Sequence, residues 1–383
     1  MVMAAVLSDS RRQVSITTLV TTWPLLLLAA LPVVGWLMGG GAWHWLTVAF
    51  FALMVVIDPF IGPDKVNAPP EAEAKLERRL YYRVMLWLVL PAAFAVNVFC
   101  VYLITQTALS TFEIVGLALS MALAAGFPAT AAHELAHHPS KIDRFIGILL
   151  FAPINMCDFA IYHNYGHHNR VATPEDPGSA KYGENMWLFA LRSIVLKTVM
   201  GWEIEAERLR RQALPWWNWR NRMIWMQSLP FMWLGVLVYF FGWGAVPLFL
   251  LLFAFGRGLL AVADFVEHYG LGRRRLPDGS WEPCKAAHAW DDSFIVSSLF
   301  FCQIDRHSDH HANVGRPYQI LRVMEDAPRL PFGYLTMLGV AMIPPLWRKM
   351  MHARLHAHYE AGRAVPHGRP ENLPDRFVAD AVY

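Results

Sequence analysis

The sequence predicts an all-α integral membrane protein: six transmembrane helices carrying a histidine-rich cap on the cytoplasmic side. Three observations carry this. The 383-residue chain is 55% hydrophobic and only 16% charged, where a soluble domain carries about 25% charged residues. Its apolar residues fall into runs long enough to cross a bilayer, which takes ~20 residues each. Its basic residues sit in one alternate set of loops.

The elements follow in order. From Gln13 to Ile57 there is no Lys, Arg, Asp or Glu, which gives two spans, near 16–38 and 42–62, with "MGGGAW" (Met38–Trp43) as the turn. Further spans fall near 84–105 and 112–132, and a last pair near 223–242 and 245–266 divides at "FFGWGAVP". The first run is too long for a cleavable signal peptide and continues into a second span. No linker, repeat or low-complexity tail interrupts the chain. It reads as one membrane-embedded domain over 1–383, with a cap from 133–222 and 267–383.

"MGGGAW", "QTALS" and "GWGA" contain no basic residue. The other loops hold Arg11 and Arg12; Lys75, Arg78, Arg79 and Arg83; Lys141 and Arg144; and Arg273, Arg274 and Arg275. The positive-inside rule places both termini and the cap in the cytoplasm, and in a bacterium this is the inner membrane. A net charge of +3 gives no reason to expect a nucleic-acid partner. Cys100, Cys157, Cys284 and Cys302 form no C-x-x-C pair and read as reduced or buried thiols.

The chemistry lies in the histidines. "HELAHH" carries His133, His137 and His138 directly after the fourth span. "HNYGHH" carries His163, His167 and His168, "RHSDHH" carries His307, His310 and His311, and "EHYG" carries His268 after the sixth span. Residues at i, i+3 and i+4 share a helix face, so each cluster aims imidazoles at one point. Neutral imidazole suits Fe, Zn, Cu and Ni. Taken alone, "HELAH" fits the zinc-protease helix H-E-x-x-H, but one zinc takes at most four ligands and would leave six clustered histidines without a task. Nine imidazoles match two metals with four or five ligands each. A metal transporter fits less well, since its sites lie at the midplane on broken helices. His44, His352, His356, His358 and His367 read as ordinary hydrogen-bonded histidines, and His288 remains open.

At these motifs the chain resembles the integral-membrane alkane hydroxylases, relatives of the membrane fatty-acid desaturases and xylene monooxygenases. The matching stretches are "HELAHH", "HNYGHHNRVATPEDP", "EHYGL" and "RHSDHHA", supported by "YYRV", "EAERLRR" and "IPPLWRKMM". The resemblance implies a non-haem di-iron centre ligated by His133, His137, His163, His167, His168, His268, His307, His310 and His311. It also implies O₂-dependent terminal hydroxylation of medium- to long-chain n-alkanes, with electrons from a rubredoxin served by an NADH-dependent reductase. A fatty-acyl desaturase or an aromatic-methyl monooxygenase is the alternative on the same scaffold. The chain departs from the family at His138, commonly Lys, at Tyr162, commonly Glu, and at Thr130, commonly Asn; none of these removes a ligand, and His138 is left outside the ligand set.

The carboxylates Glu134, Glu267, Asp309 and Asp176 neighbour the histidines and are candidates to accept ring N–H bonds and orient the imidazoles. An apolar substrate has the bilayer as its reservoir. Phe50, Phe51, Trp87 and Phe94 are candidates for setting the depth of a channel from the lipid, though ordinary packing is the simpler role for each. With no electron carrier fused to the chain, an acidic rubredoxin needs a basic docking face. Arg208, Arg210, Arg211, Arg220 and Arg222 are candidates, as are Arg273–Arg275, which serve equally as anchors beside anionic lipid.

Overall fold

The computed structural model describes residues 14–383; Arg11 and Arg12, used above for orientation, lie outside the described residues. Among the described residues, five helices are long and apolar enough to cross a membrane. They are the 3-10 turn Gly41–Trp45 continued by α2 (Leu46–Ile61), α3 (Leu80–Gln106), the pair α4 (Thr111–Gly126) and α5 (Ala129–His137), α9 (Arg222–Phe241) and α10 (Ala245–His268).

The first predicted span, 16–38, is not one helix. A five-residue helix, Ile16–Val20, ends at Thr21, whose φ of 53° breaks the ladder, and α1 (Trp23–Leu37) then runs for 15 residues. At 1.5 Å rise per residue α1 is ~22 Å long, short of a ~30 Å hydrocarbon core. The other predicted spans hold to within a few residues, except that the fourth continues as far as His137, and so carries the first histidines on its own last turn.

Helix α4 is the hub, packing on α1, α2, α3 and α10. Its inward face is made of small residues: Gly116, Ala118, Ser120, Ala122, Ala124, Ala125 and Gly126 are all buried. In lipid, where apolar tails compete with apolar side chains, close backbone approach of this kind holds helices together. Ser110 and Glu113 form a capping box at its far end, and Glu113 also accepts from the Gly41 amide at 3.1 Å. The outward faces of the spans present Leu53, Val56, Phe60, Leu88, Phe231, Met232 and Val236.

The cap contains α6 (Lys141–Leu150), packed on α5, a short helix α7 (Phe159–Tyr162), α8 (Met186–Arg210), packed on α10, α11 (His307–Ala312) and α12 (Pro344–Glu360). One departure from an all-α cap is a two-residue antiparallel pairing of Leu271–Gly272 (β1) with Val365–Pro366 (β2), which ties the segment after His268 to the C-terminal arm.

Phe50, Phe51, Trp87 and Phe94 are packing residues. Phe51 lies 4.9 Å from Phe127 and 5.9 Å from Phe300, Phe50 6.5 Å from Phe300, and Phe94 4.7 Å from Trp233, measured between ring centres. Trp87 donates to Asp143 at 2.7 Å.

Candidate metal centre

All nine predicted histidines converge. His133, His137, His163, His168 and His310 form one group of five, and His167, His268, His307 and His311 one of four. Within the groups the Nε2 atoms face one another: His133–His163 at 2.7 Å, His163–His168 at 2.9 Å, His168–His310 at 3.2 Å, His137–His168 at 3.3 Å, His307–His311 at 3.0 Å, His268–His307 at 3.1 Å and His167–His311 at 3.3 Å. Two nitrogens at right angles, each ~2.1 Å from one ion, are ~3 Å apart. The spacing therefore fits two all-imidazole metal sites, which the histidines predicted as ligands would hold.

Local backbone geometry decides which ring joins which group. His133 and His137 on α5 are one turn apart and go together, as do His307 and His311 on α11. His310 and His311 are consecutive, so they point ~100° apart and serve different groups. The second cluster uses a π turn, His163–His167. This wider turn brings His163 and His168, five apart, onto one face and sends His167 to the other group. The cap groups His163, His168, His307, His310 and His311 are all buried deeply enough that desolvation pushes their ring pKa values well down. They remain neutral, with a lone pair for a metal.

The four candidate carboxylates divide. Asp176 Oδ2 lies 3.0 Å from His167 Nδ1 and accepts from the Ser179 hydroxyl at 2.7 Å; Oδ1 accepts from the Tyr162 hydroxyl at 2.7 Å. Burial pushes the Asp176 carboxyl up, but the His167 ring and the three side-chain donors outweigh that and hold it well below the usual carboxylate range. Glu267 Oε2 lies 3.2 Å from the Nε2 atom of His307, on the side where the rings converge. Glu134 and Asp309 touch no imidazole. Glu134 accepts from the Tyr318 amide at 3.1 Å, and Asp309 from the Arg322 amide at 2.8 Å and Asn313 at 2.7 Å. Both brace the 313–322 segment that follows α11.

Several groups were missed in the sequence. Tyr162, at the place noted as a departure, is the partner of Asp176. Asp291 accepts from the Ser308 amide at 2.7 Å and so fixes the start of α11; burial, against the pull of Arg329, raises its carboxyl to about 7. Asp264 on α10 forms a buried ion pair with Lys197 of α8. The "WDD" carboxylates, set between apolar stretches, were the available signal for Asp291. His138 stands apart from both groups, 2.5 Å from Asp143 Oδ2, and His288 accepts from the Lys285 amide at 3.1 Å.

An apolar cavity opens against the cluster. His133, His163 and His307 line its metal end, with Glu267 and Asp264; Gly126, Gly256, Leu259 and Leu260 belong to its apolar wall. The candidate arginines are mostly compensated. Arg208 and Arg222 pair with Glu205 at 2.8 and 2.6 Å, and Arg210 and Arg211 with Glu207 at 2.7 and 2.9 Å. Arg220 alone of the five has no acidic partner among the described residues. Arg273 is turned inward onto the carbonyls of Glu282 and Asn169.

A bundle of membrane helices capped by clustered histidines defines a class, and residues 110–338 match the fatty acid desaturase family model. The chain is 36% identical to the alkane 1-monooxygenase of Acinetobacter baylyi over 82% of its own length and 77% of that protein. It is 35% identical to alkane 1-monooxygenase 2 of Pseudomonas aeruginosa, over 83% and 85%. The xylene/toluene monooxygenase hydroxylase component of Pseudomonas putida is more distant, 26% identical over 80% and 81%. Within the desaturase class, this chain belongs to the alkane 1-monooxygenase family.

Proposed function

We propose that the protein hydroxylates the terminal carbon of medium- to long-chain n-alkanes with O₂ at a di-iron centre, using electrons from rubredoxin. The observation that carries this reading is the juxtaposition of two converging imidazole groups with an apolar cavity. A terminal C–H bond offers no handle for acid–base chemistry, so bound iron supplies the activation of O₂.

The chain's own residues do the rest. The neutral imidazoles hold the ions, His133, His137, His163, His168 and His310 one of them and His167, His268, His307 and His311 the other. Asp176 accepts the Nδ1–H of His167, which fixes that ring's tautomer and leaves Nε2 bare. Glu267 places a carboxyl beside the ring nitrogens, where bound cations favour its charged form; Asp264 is already balanced by Lys197. Gly126 and Gly256 let Phe255 and Ile154 pack closely at the edge of the cavity, and the apolar wall excludes water while the methyl end meets the ions. The supply of electrons and protons balances the reaction: alkane, O₂, two electrons and two protons give alkanol and water.

In the same reading, the helix Ile16–Val20 and α1 together complete six crossings, the chain forms one domain in the bacterial inner membrane, and the histidine end faces the cytoplasm, where the NADH-dependent reductase and rubredoxin operate. The convergence of His307, His310 and His311 with "HELAH" argues against a zinc protease, for which those three are dispensable. The test is turnover of purified protein in lipid nanodiscs with rubredoxin, its reductase, NADH and n-dodecane. The expected product is 1-dodecanol, lost in His310→Ala. Formation of an alkene from a fatty-acyl substrate, with no alkanol, would move the protein to the desaturases; turnover of xylenes alone would move it to the aromatic-methyl branch.

A further inference from the structure

Outside the metal centre, the groove between α6 and α9 gathers charge and apolar surface at one level. We propose that it binds an anionic phospholipid of the surrounding bilayer. The groove has Lys141, Arg144 and Arg222 on its polar rim and Phe145, Ile148 and Met226 on its apolar wall. Its charge is net positive. Arg222 is neutralised by Glu205 at 2.6 Å. Arg144 donates only to the carbonyls of His138 and Pro139, at 2.9 and 2.7 Å, and Lys141 has no acidic partner among the described residues. Two cations are thus uncompensated above an apolar wall, the complement of a phosphodiester above acyl chains.

Depth argues for lipid as the occupant. Arg222 is the first residue of the span α9. Around it Trp216, Trp217, Trp219 and Trp225 are 55%, 65%, 68% and 58% exposed. Clustered exposed tryptophans mark the headgroup level of a membrane protein, and basic residues there attract anionic lipid. Ile142 and Phe145 on α6 are 67% and 57% exposed, continuing the lipid-facing surface of α9 up to the groove. An acidic soluble protein would have to cover these side chains with water-facing residues. The groove also backs onto the cluster: Ala136 and Asn164 line it, each adjacent to a histidine of the five-ring group, and Asn164 donates to the Ala136 carbonyl at 2.9 Å. A lipid seated there braces the contact between the first and second histidine clusters.

The proposal does not depend on the reaction catalysed. Its test is native mass spectrometry of the full-length protein released from nanodiscs of equal parts phosphatidylcholine and phosphatidylglycerol. One retained phosphatidylglycerol per chain is expected, reduced about 10-fold or more by Lys141→Glu and also by Phe145→Asp, with metal content unchanged in Lys141→Glu as evidence that the variant is folded. Equal retention of the two lipids, retention insensitive to Lys141→Glu and Phe145→Asp, or displacement by inorganic phosphate alone would overturn it. Displacement of the lipid by an acidic rubredoxin would assign the groove to the electron carrier instead.

Discussion

Replacing Asp176 by Asn isolates what holds one metal. The substitution keeps the shape of a fully buried group but removes its charge. It also offers an NH₂ to His167 Nδ1 in place of an acceptor 3.0 Å away. The amide oxygen stays with the donors of Oδ1, the Tyr162 hydroxyl at 2.7 Å and the Gly178 amide at 3.1 Å, while the NH₂ takes the place of Oδ2 and faces the Ser179 hydroxyl, which can accept. His167 must then present Nδ1 as an acceptor, and its proton moves to Nε2, the atom that faces His311 at 3.3 Å. A ring protonated there cannot ligate. Loss of a partner that orients a metal-binding histidine weakens metal affinity by ~10–100-fold, which is ~1.4–2.8 kcal/mol. The effect falls on the four-histidine group. The assay is graded chelator challenge followed by metal quantitation: the variant should lose one of two ions at roughly 10–100-fold lower chelator while the second ion leaves as in wild type. Asp309→Asn, whose carboxylate meets only Arg322, Asn313 and Arg316, is the control and should leave both ions in place. Wild-type retention of both ions by Asp176→Asn would refute the reasoning.

Other expectations follow from the same geometry. Lys197→Met leaves Asp264 as an unpaired buried charge and should cost ~3–5 kcal/mol; Lys197→Met with Asp264→Leu should recover most of it in a thermal-shift assay. The five buried cap histidines have folded pKa values below their unfolded ones, so the unfolded chain binds more protons below pH ~6.5 and stability falls with acid there. Metal-free protein should lose stability progressively as pH drops from 7 to 5, by up to ~1.4 kcal/mol per pH unit per ring, read as a falling thermal midpoint; a flat profile would contradict the burial argument. Leu259→Trp fills part of the cavity and should shorten the longest alkane hydroxylated, read from product profiles over a chain-length series, with metal content unchanged.

The sequence made the converging histidines legible because histidine clusters at helical spacing after apolar spans leave few alternatives. It did not show how the nine divide, since that rests on the π turn at His163–His167, which shifts His168 to the face of His163. Neighbourhood in sequence misled for Glu134 and Asp309: a residue adjacent to a ligand on a helix points ~100° away from it, so both carboxylates face the segment that follows α11. Asp176 succeeded because its loop folds back over His167. The pairing of Arg208, Arg210 and Arg211 with Glu205 and Glu207 was readable from i, i+3 and i, i+4 spacing in "EAERLRR", and it removes most of the basic docking face expected there. The break in the first span was hidden because Thr21 and Thr22 are uncharged and pass unnoticed in a hydropathy reading.

The central claim is a two-metal, all-histidine centre, and counting metal tests it most directly. Elemental mass spectrometry of the purified protein should find two irons per chain, reduced or lost in His310→Ala. One zinc per chain, untouched by His310→Ala, would contradict the account and return "HELAHH" to the zinc-protease reading.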